Sequence, residues 1–446
     1  MSESSETLKP MLIGGEWIAQ QDAAFASINP ATGARNYLIS AASDAQVDQA
    51  VDAAWQAQRQ PAWRDMLPHQ RAAILRRIAD GIEQHAELLA RLQMIENGKV
   101  WAECKTQVAS AAATFRYYAG VCETLGAEVT PARGNYLSMT HYEPYGVVVA
   151  ITPWNSPLTM EAQKVAPALA AGNAVILKPS EVTSSPALAL GRIALEAGLP
   201  PGILNVVTGL GATVGRRLVE HSGVRMVSFT GGTASGRAIA HAAAEKLMPV
   251  ALELGGKSPH IVFDDADQDA AIDGVIGGIF EGSGQSCVAG SRLYVQRGIA
   301  ASFMEKLVAR AGRLNVNLPD AAGAQMGPIA SFGHRDKIES MVESAKRDGA
   351  QVLLGAQRPD GDALQAGAFY RPTILGGLAR DAQVVREEIF GPVLCALTFD
   401  DEDDLIDQAN DSVYGLASGI WTADYRRAWR VAKRLEAGSV WINTYK

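Results

Sequence analysis

The segment from Gly146 to Leu254 constrains the fold more than any other. Short apolar runs at Val147–Ile151, Ala174–Leu177, Leu204–Val207, Met226–Phe229 and Val250–Leu254 alternate with helical patterns at Pro157–Ala171, Ser184–Ala197, Ala212–Glu220 and Thr233–Lys246. The runs are short and mostly apolar. Strand–helix alternation of this kind predicts a parallel sheet with helices on both sides. Ligands of such sheets gather at the carboxyl ends of the strands.

Before this segment the chain reads as mainly helical. Residues 1–10 are expected to be a loose tail, and Ile13–Gln20 is short and strand-like. Asn29–Gly33 has turn chemistry. Ser43 with Gln46 three residues on is a capping-box pattern that opens a helix. A longer helix is expected from Pro68, with Ile74, Leu75, Ile78, Ile82, Leu88, Leu89, Leu92 and Ile95 on one face and Asn97-Gly98 as its stop. A third helix runs from Trp101 to Leu125. Glu128–Pro131 and Asn135–Glu143 flank Arg133-Gly134, which predicts a hairpin. Two strands alone are not independently stable, so this ribbon packs on something else, either a partner subunit or its own surface. After Lys257 a second α/β region is expected. Its strands are Ser258–Phe263, Arg292–Gln296, Gln351–Leu354, Val393–Phe399 and Val440–Ile442. Its helices are Asp267–Phe280, Phe303–Gly312, Asp336–Asp348, Glu402–Asn410 and Tyr425–Leu435.

Composition excludes several function classes. The 446 residues are 48% hydrophobic and 20% charged, enough to bury a large core. The net charge of −8 carries no basic block, which argues against nucleic acid and anionic membrane as partners. No apolar run is long enough to span a membrane, and the polar MSESSETLKP start does not read as a signal peptide. Cys104, Cys122, Cys287 and Cys395 are widely spaced. They suggest neither a disulfide framework nor a metal site, and they favour the reducing cytoplasm.

The chemistry concentrates in short segments. Phe280–Arg292 reads FEGSGQSCVAGSR, and its small residues let the backbone around Cys287 bend and approach a ligand. Cys287 is a candidate nucleophile at an element-to-loop junction, against the alternative of a small buried hydrophobe. Asn155, in TPWN after the first strand, can donate to a developing oxyanion or make an Asx-turn. Glu253, in ELGGK, is a candidate general base or a solvated strand-end glutamate. Gly231, Gly232 and Gly236 open a helix whose N–H groups can hold a phosphate, although they are not a G-x-G-x-x-G fingerprint. Lys178 and Glu181, in KPSE, can bond ribose hydroxyls or belong to a solvated loop.

The ordered set TPWN, KPSE, FTGGTASG, ELGGK, GQSC and EEIFGP resembles the NAD(P)-dependent aldehyde dehydrogenase superfamily from Ile13 to Asn443. That resemblance implies an α/β fold with a Rossmann-like cofactor domain (1–124 and 144–255), an α/β catalytic domain (256–446) and a β-ribbon oligomerisation hairpin (125–143). It implies a homodimer or homotetramer that oxidises a small-molecule aldehyde to the carboxylic acid, with NAD as cofactor and NADP open. By the resemblance Cys287, Glu253, Asn155 and Lys178 are catalytic residues, and no metal is needed. Cys287 forms a thiohemiacetal and then a thioester, Asn155 and the Cys287 amide form the oxyanion hole, and Glu253 activates the hydrolytic water. Cofactor contacts are implied for Ile151, Trp154, Lys178, Glu181, Gly211, Phe229, Gly231, Gly232, Thr233, Glu388 and Phe390. Gly232 stands where the family often has serine. Ser156, Gln163 and Glu281 stand where it often has aromatic residues, which hints at a polar substrate mouth. Relatives usually run on past the position of Lys446. Two other readings compete: an acyl-transferring relative that uses coenzyme A, which the glutamate at 253 argues against, and a non-catalytic protein that kept the fold.

Overall fold

The computed structural model describes residues 7–446. The chain forms two compact units. The first comprises the N-terminal residues through Ile28 together with Arg35–Glu96 and Trp101–Glu253, and the second comprises Asn29–Ala34, Asn97–Val100 and Leu254–Lys446.

The first unit contains strands β1 (Leu8–Lys9), β2 (Met11–Ile13), β3 (Glu16–Ile18), β4 (Ala24–Ile28), β5 (Arg35–Ser40), β6 (Val147–Ile151), β7 (Ala174–Lys178), β8 (Leu204–Val206), β9 (Met226–Thr230) and β10 (Val250–Glu253). Its main sheet has the order β10-β9-β6-β7-β8-β2-β3. The five strands from β10 to β8 are parallel, as the alternation predicts, and β2 and β3 extend the sheet antiparallel. Every residue of β6 and β7 is buried, the signature of a strand covered on both faces. Ser43 caps the helix Asp44–Arg59 with the reciprocal capping box its sequence announces.

Several expectations change. Residues 1–6 of the expected tail lie outside the described residues, and Leu8–Lys9 is ordered as a strand parallel to β5. Ile13–Gln20 is not one strand: Gly14 and Gly15 turn the chain between β2 and β3, both at positive φ. The helix from Pro68 is two helices, Pro68–Gln84 and Ala86–Asn97, separated at His85. One continuous apolar face hid that break. Gly211–Gly215 is a π-helical turn leading into Arg216–Glu220, in place of one α-helix from Ala212. The segment after Thr124 has no continuous strands. Its only pairing among the described residues is the antiparallel bridge Val129↔Met139, flanked by Thr130 N–H to Ser138 O at 3.0 Å and Thr140 N–H to Glu128 O at 2.8 Å.

The second unit contains β11 (Pro259–Val262), β12 (Arg292–Gln296), β13 (Gln351–Leu354), β14 (Thr373–Gly376), β15 (Val393–Phe399), β16 (Ala417–Trp421) and β17 (Ser439–Ile442). They form one sheet in the order β13-β14-β15-β12-β11-β16-β17, parallel except for the edge strand β13. Apolar cores cover its two faces. One includes Phe263, Tyr294, Ile338, Tyr370 and Phe399, and the other includes Ile279, Phe280, Leu293, Phe303 and Leu394. The helix expected from Phe303 begins earlier, at Arg297. β14 and β16 are absent from the sequence reading. β16 reads ASGIW and is rich in small residues rather than β-branched ones, so its propensity is weak. The fully buried Arg292 guanidinium ties this unit together by donating to the carbonyls of Lys257, Gln408 and Ala409.

Candidate functional site

In the first unit, parallel register gathers the motifs along one sheet edge. Ile151 is opposite both Lys178 and Phe229, and Glu253 is opposite Thr230. All lie at the carboxyl ends of their strands, where an α/β sheet binds ligands. Lys178 is almost fully buried, and its ammonium sits 3.5 Å from the Glu181 carboxylate. Burial pulls the Lys178 pKa down, and Glu181 opposes that shift. Trp154 and Asn155 lie in the half-buried bend between β6 and the helix Pro157–Ala170.

The turn after β9 is built for close backbone approach. A Cβ added at Gly231 would come within 2.6 Å of the Phe229 ring. Gly232 precedes the helix Thr233–Ala244, whose first N–H groups and dipole favour an anion. The hydroxyls of Thr230 and Thr233 are buried there without a protein partner. Side chains added at Gly211 or Gly232 would meet nothing within 4 Å, so there is open space beside both. Orphaned hydroxyls, a free helix start, a buried lysine and open glycine turns fit the phosphate and ribose groups of a dinucleotide.

The sequence reading missed Lys164. A lysine in a helix normally reads as solvated, but this one is buried and donates to Ser228 Oγ at 3.0 Å. Burial draws its pKa down to about 8, and the negative charge of Glu253 works against the shift. The only sequence signal was its place within the apolar run of its helix. Of the polar substitutions noted above, Ser156 accepts from Gln107 Nε2 at 3.1 Å, and Gln163 is exposed.

In the second unit, Cys287 follows the helix Gln268–Phe280 and the short 3₁₀ turn Glu281–Gly284. Gly282, Ser283 and Gly284 adopt φ values of 60°, 56° and 73°. Ser283 is not a residue that favours this region, so it is strained. Its hydroxyl donates to Gly327 O at 2.7 Å and holds it there. The Gln285 side chain bridges Gly282 O and the Ala330 N–H. These bonds deliver Cys287 as a half-buried residue in a turn closed by Ala289 N–H to Ser286 O at 3.1 Å. The other three cysteines are buried.

Glu388 is half-buried, and its carboxylate accepts from the Gly256 N–H at 2.9 Å. Burial raises its pKa, opposed first by that hydrogen bond and then by Lys257. A Cβ at Gly255 would run into the Glu388 carboxylate, so a side chain there would displace that carboxylate from the Gly256 N–H. Phe390 is also held at positive φ, 57°, and its carbonyl lies 2.8 Å from His334 Nε2. Glu281 is exposed. Thus the structure brings Ile151, Lys178, Phe229, Gly231, Gly232, Thr233 and Glu253 to one sheet edge of the first unit. It brings Glu388 and Phe390 into one loop of the second unit. Among the described residues no group of His, Cys, Asp or Glu is arranged to hold a metal ion, and no helix is long and apolar enough to cross a membrane.

Residues 17–446 match the aldehyde dehydrogenase family. Among solved structures, a Burkholderia cenocepacia protein assigned to the aldehyde dehydrogenases is 42% identical, with a TM-score of 0.96 over 98% of this chain and 90% of that one. Betaine aldehyde dehydrogenase from Staphylococcus aureus, in complex with NAD+, is 37% identical at a TM-score of 0.96 over 98% and 88% of the two chains. The NAD+ complex of aldehyde dehydrogenase from Bacillus cereus is 37% identical at a TM-score of 0.96 over 99% and 89%. The chain therefore belongs to the aldehyde dehydrogenase family and is an NAD(P)-dependent oxidoreductase acting on aldehydes.

Proposed function

We propose that this enzyme oxidises a small aldehyde to its carboxylic acid through covalent catalysis at Cys287. The observation that carries the reading is the built turn around this cysteine: a half-buried thiol preceded by three left-handed residues and clamped by backbone hydrogen bonds. The Cys287 sulfur attacks the aldehyde carbon and gives a thiohemiacetal, and oxidation leaves an acyl thioester. Asn155 Nδ2 and the Cys287 N–H donate to the oxygen as it gains charge. Glu253 removes a proton from the water that hydrolyses the thioester. A glutamate at this point favours hydrolysis over transfer to coenzyme A.

When bound, NAD+ supplies the hydride acceptor. Lys178, Glu181, the Gly231–Thr233 turn, Glu388 and Phe390 would hold it, with Ile151, Trp154, Gly211 and Phe229 lining it. Glu181 favours NAD+ over NADP+, because a carboxylate accepts from a free 2′-hydroxyl and repels a 2′-phosphate. The test is a panel of aliphatic and aromatic aldehydes with each cofactor, followed by formation of the reduced cofactor. We expect turnover without coenzyme A and a higher kcat/KM with NAD+. In Glu181→Ser the preference should narrow by about tenfold. No turnover with any aldehyde, or turnover only with coenzyme A, defeats the reading.

The segment 125–143 is proposed as an oligomerisation ribbon. Leu125, Val129, Tyr136, Leu137, Met139 and Tyr142 are each more than half exposed, an apolar density a solvated hairpin does not need. A cytoplasmic homodimer or homotetramer is the matching assembly, and four thiols suit that reducing compartment. Replacing both Leu137 and Met139 with Asp should yield a smaller species in sedimentation velocity. An unchanged sedimentation coefficient would remove the ribbon from the interface.

A further inference from the structure

The turn that carries Cys287 is held from outside by Tyr445, and we propose that Tyr445 positions the nucleophile for attack. The proposal rests on the reading of Cys287 as the nucleophile. The bond from Ala289 N–H to Ser286 O makes Cys287 and Val288 the central residues of a tight turn. That bond fixes only the ends of the turn. Its middle is fixed by two contacts from other elements. The Cys287 carbonyl packs on the backbone at Gly256, where a Cβ would come within 2.5 Å of it. The Val288 carbonyl accepts from the Tyr445 hydroxyl at 2.9 Å. Just beyond, the Gly290 N–H donates to Gly278 O at 3.2 Å.

The Tyr445 ring is itself immobilised. It lies in a slot lined by glycines, where an added Cβ would approach the ring to 2.4 Å at Gly419, 3.0 Å at Gly278 and 3.2 Å at Gly290. His260 stacks on the ring with centroids 4.5 Å apart and planes 12° from parallel. His260 Nε2 accepts from Trp421 Nε1 at 2.7 Å, which places the imidazole proton on Nδ1. Burial draws the His260 pKa down to about 3, so the ring stays neutral and keeps this acceptor. Trp421 ends β16, and β16 pairs with β11, which carries His260. A rigid sheet therefore reaches the nucleophile turn through Trp421, His260 and Tyr445. Holding the peptide next to the sulfur limits the orientations Cys287 can adopt, and misplacing a reacting atom costs rate steeply.

Tyr445→Phe removes the hydroxyl and leaves the ring in its slot. In the full-length enzyme we expect kcat to fall about 3- to 10-fold, with KM for the cofactor nearly unchanged. Without cofactor or aldehyde, alkylation of Cys287 by iodoacetamide, mapped by mass spectrometry, should slow by a similar factor, with little change in Tm. A residue that only packs would move Tm and leave both rates alone. The exposed Tyr425→Phe is the control and should match the parent in both rates. A kcat like the parent's, or alkylation as fast as the parent's or faster, overturns the proposal. Cys287→Ala separates the two levels: an active Cys287→Ala removes the nucleophile reading itself, whereas an inactive one with a normal Tyr445→Phe removes only the positioning role.

Discussion

Cys287→Ala should abolish aldehyde oxidation, a loss of at least about a thousandfold in kcat, while the fold and cofactor binding persist. The loss should be this large because no other group can replace the bond the sulfur makes. A thiohemiacetal turns a difficult oxidation into one that leaves a thioester, and without sulfur neither species forms. The fold should survive because the turn is held by its own backbone and by the side chains of other residues. Its closing bond runs from Ala289 N–H to Ser286 O, and its approach is fixed by Ser283 and Gln285. Alanine occupies the same space with one atom fewer. Steady-state turnover, a thermal melt and a cofactor-binding titration check the three parts. Residual oxidation near the parent rate would mean that the nucleophile lies elsewhere.

Glu253→Gln should slow turnover by about 10²- to 10⁴-fold, and the slow step should become hydrolysis. Glutamine keeps the shape of the side chain and its place at the end of β10 opposite Thr230. It loses the basic oxygen that takes a proton from water. Cys287 should still form the acyl thioester, so the first turnover should proceed and the adduct should accumulate. Intact-protein mass spectrometry after mixing with aldehyde and NAD+ should show the acyl mass on Cys287. A normal rate with no adduct would show that Glu253 is not the base. A slow rate with no adduct would place its contribution before the thioester.

The parallel sheet of the first unit was legible because its central strands β6, β7 and β8 are buried on both faces. Such strands must be apolar throughout, and Gly and Pro mark their ends. The motif positions at strand ends followed from the same logic, and the register of β10-β9-β6-β7 bears out their collection at one edge. Elements that broke this rule were not legible. Within β16, the Tyr445 ring needs the space above Gly419, so packing set that residue and local propensity did not. The helix break at His85 hid inside one continuous apolar face. The ribbon after Thr124 carries strand-like residues, but little backbone pairing within one chain. Lys164 and Tyr445 were invisible for a related reason: their significance comes from what surrounds them, and their neighbours are distant in sequence.

The sequence by itself determined the α/β class, the order of the motifs and the identity of the chemical groups. These depend on periodicity, on the turn residues and on which side chains can serve as nucleophile, base or donor. Tertiary structure alone decided the state of those groups. It buried Lys178 beside Glu181, desolvated Glu388 against the Gly256 N–H, and forced Ser283 and Phe390 into left-handed backbone. It also set Tyr445 against the carbonyl after Cys287. Burial, strain and hydrogen-bond geometry are properties of atoms brought together in space, here from up to 157 residues apart, and they arise only when the chain has closed on itself.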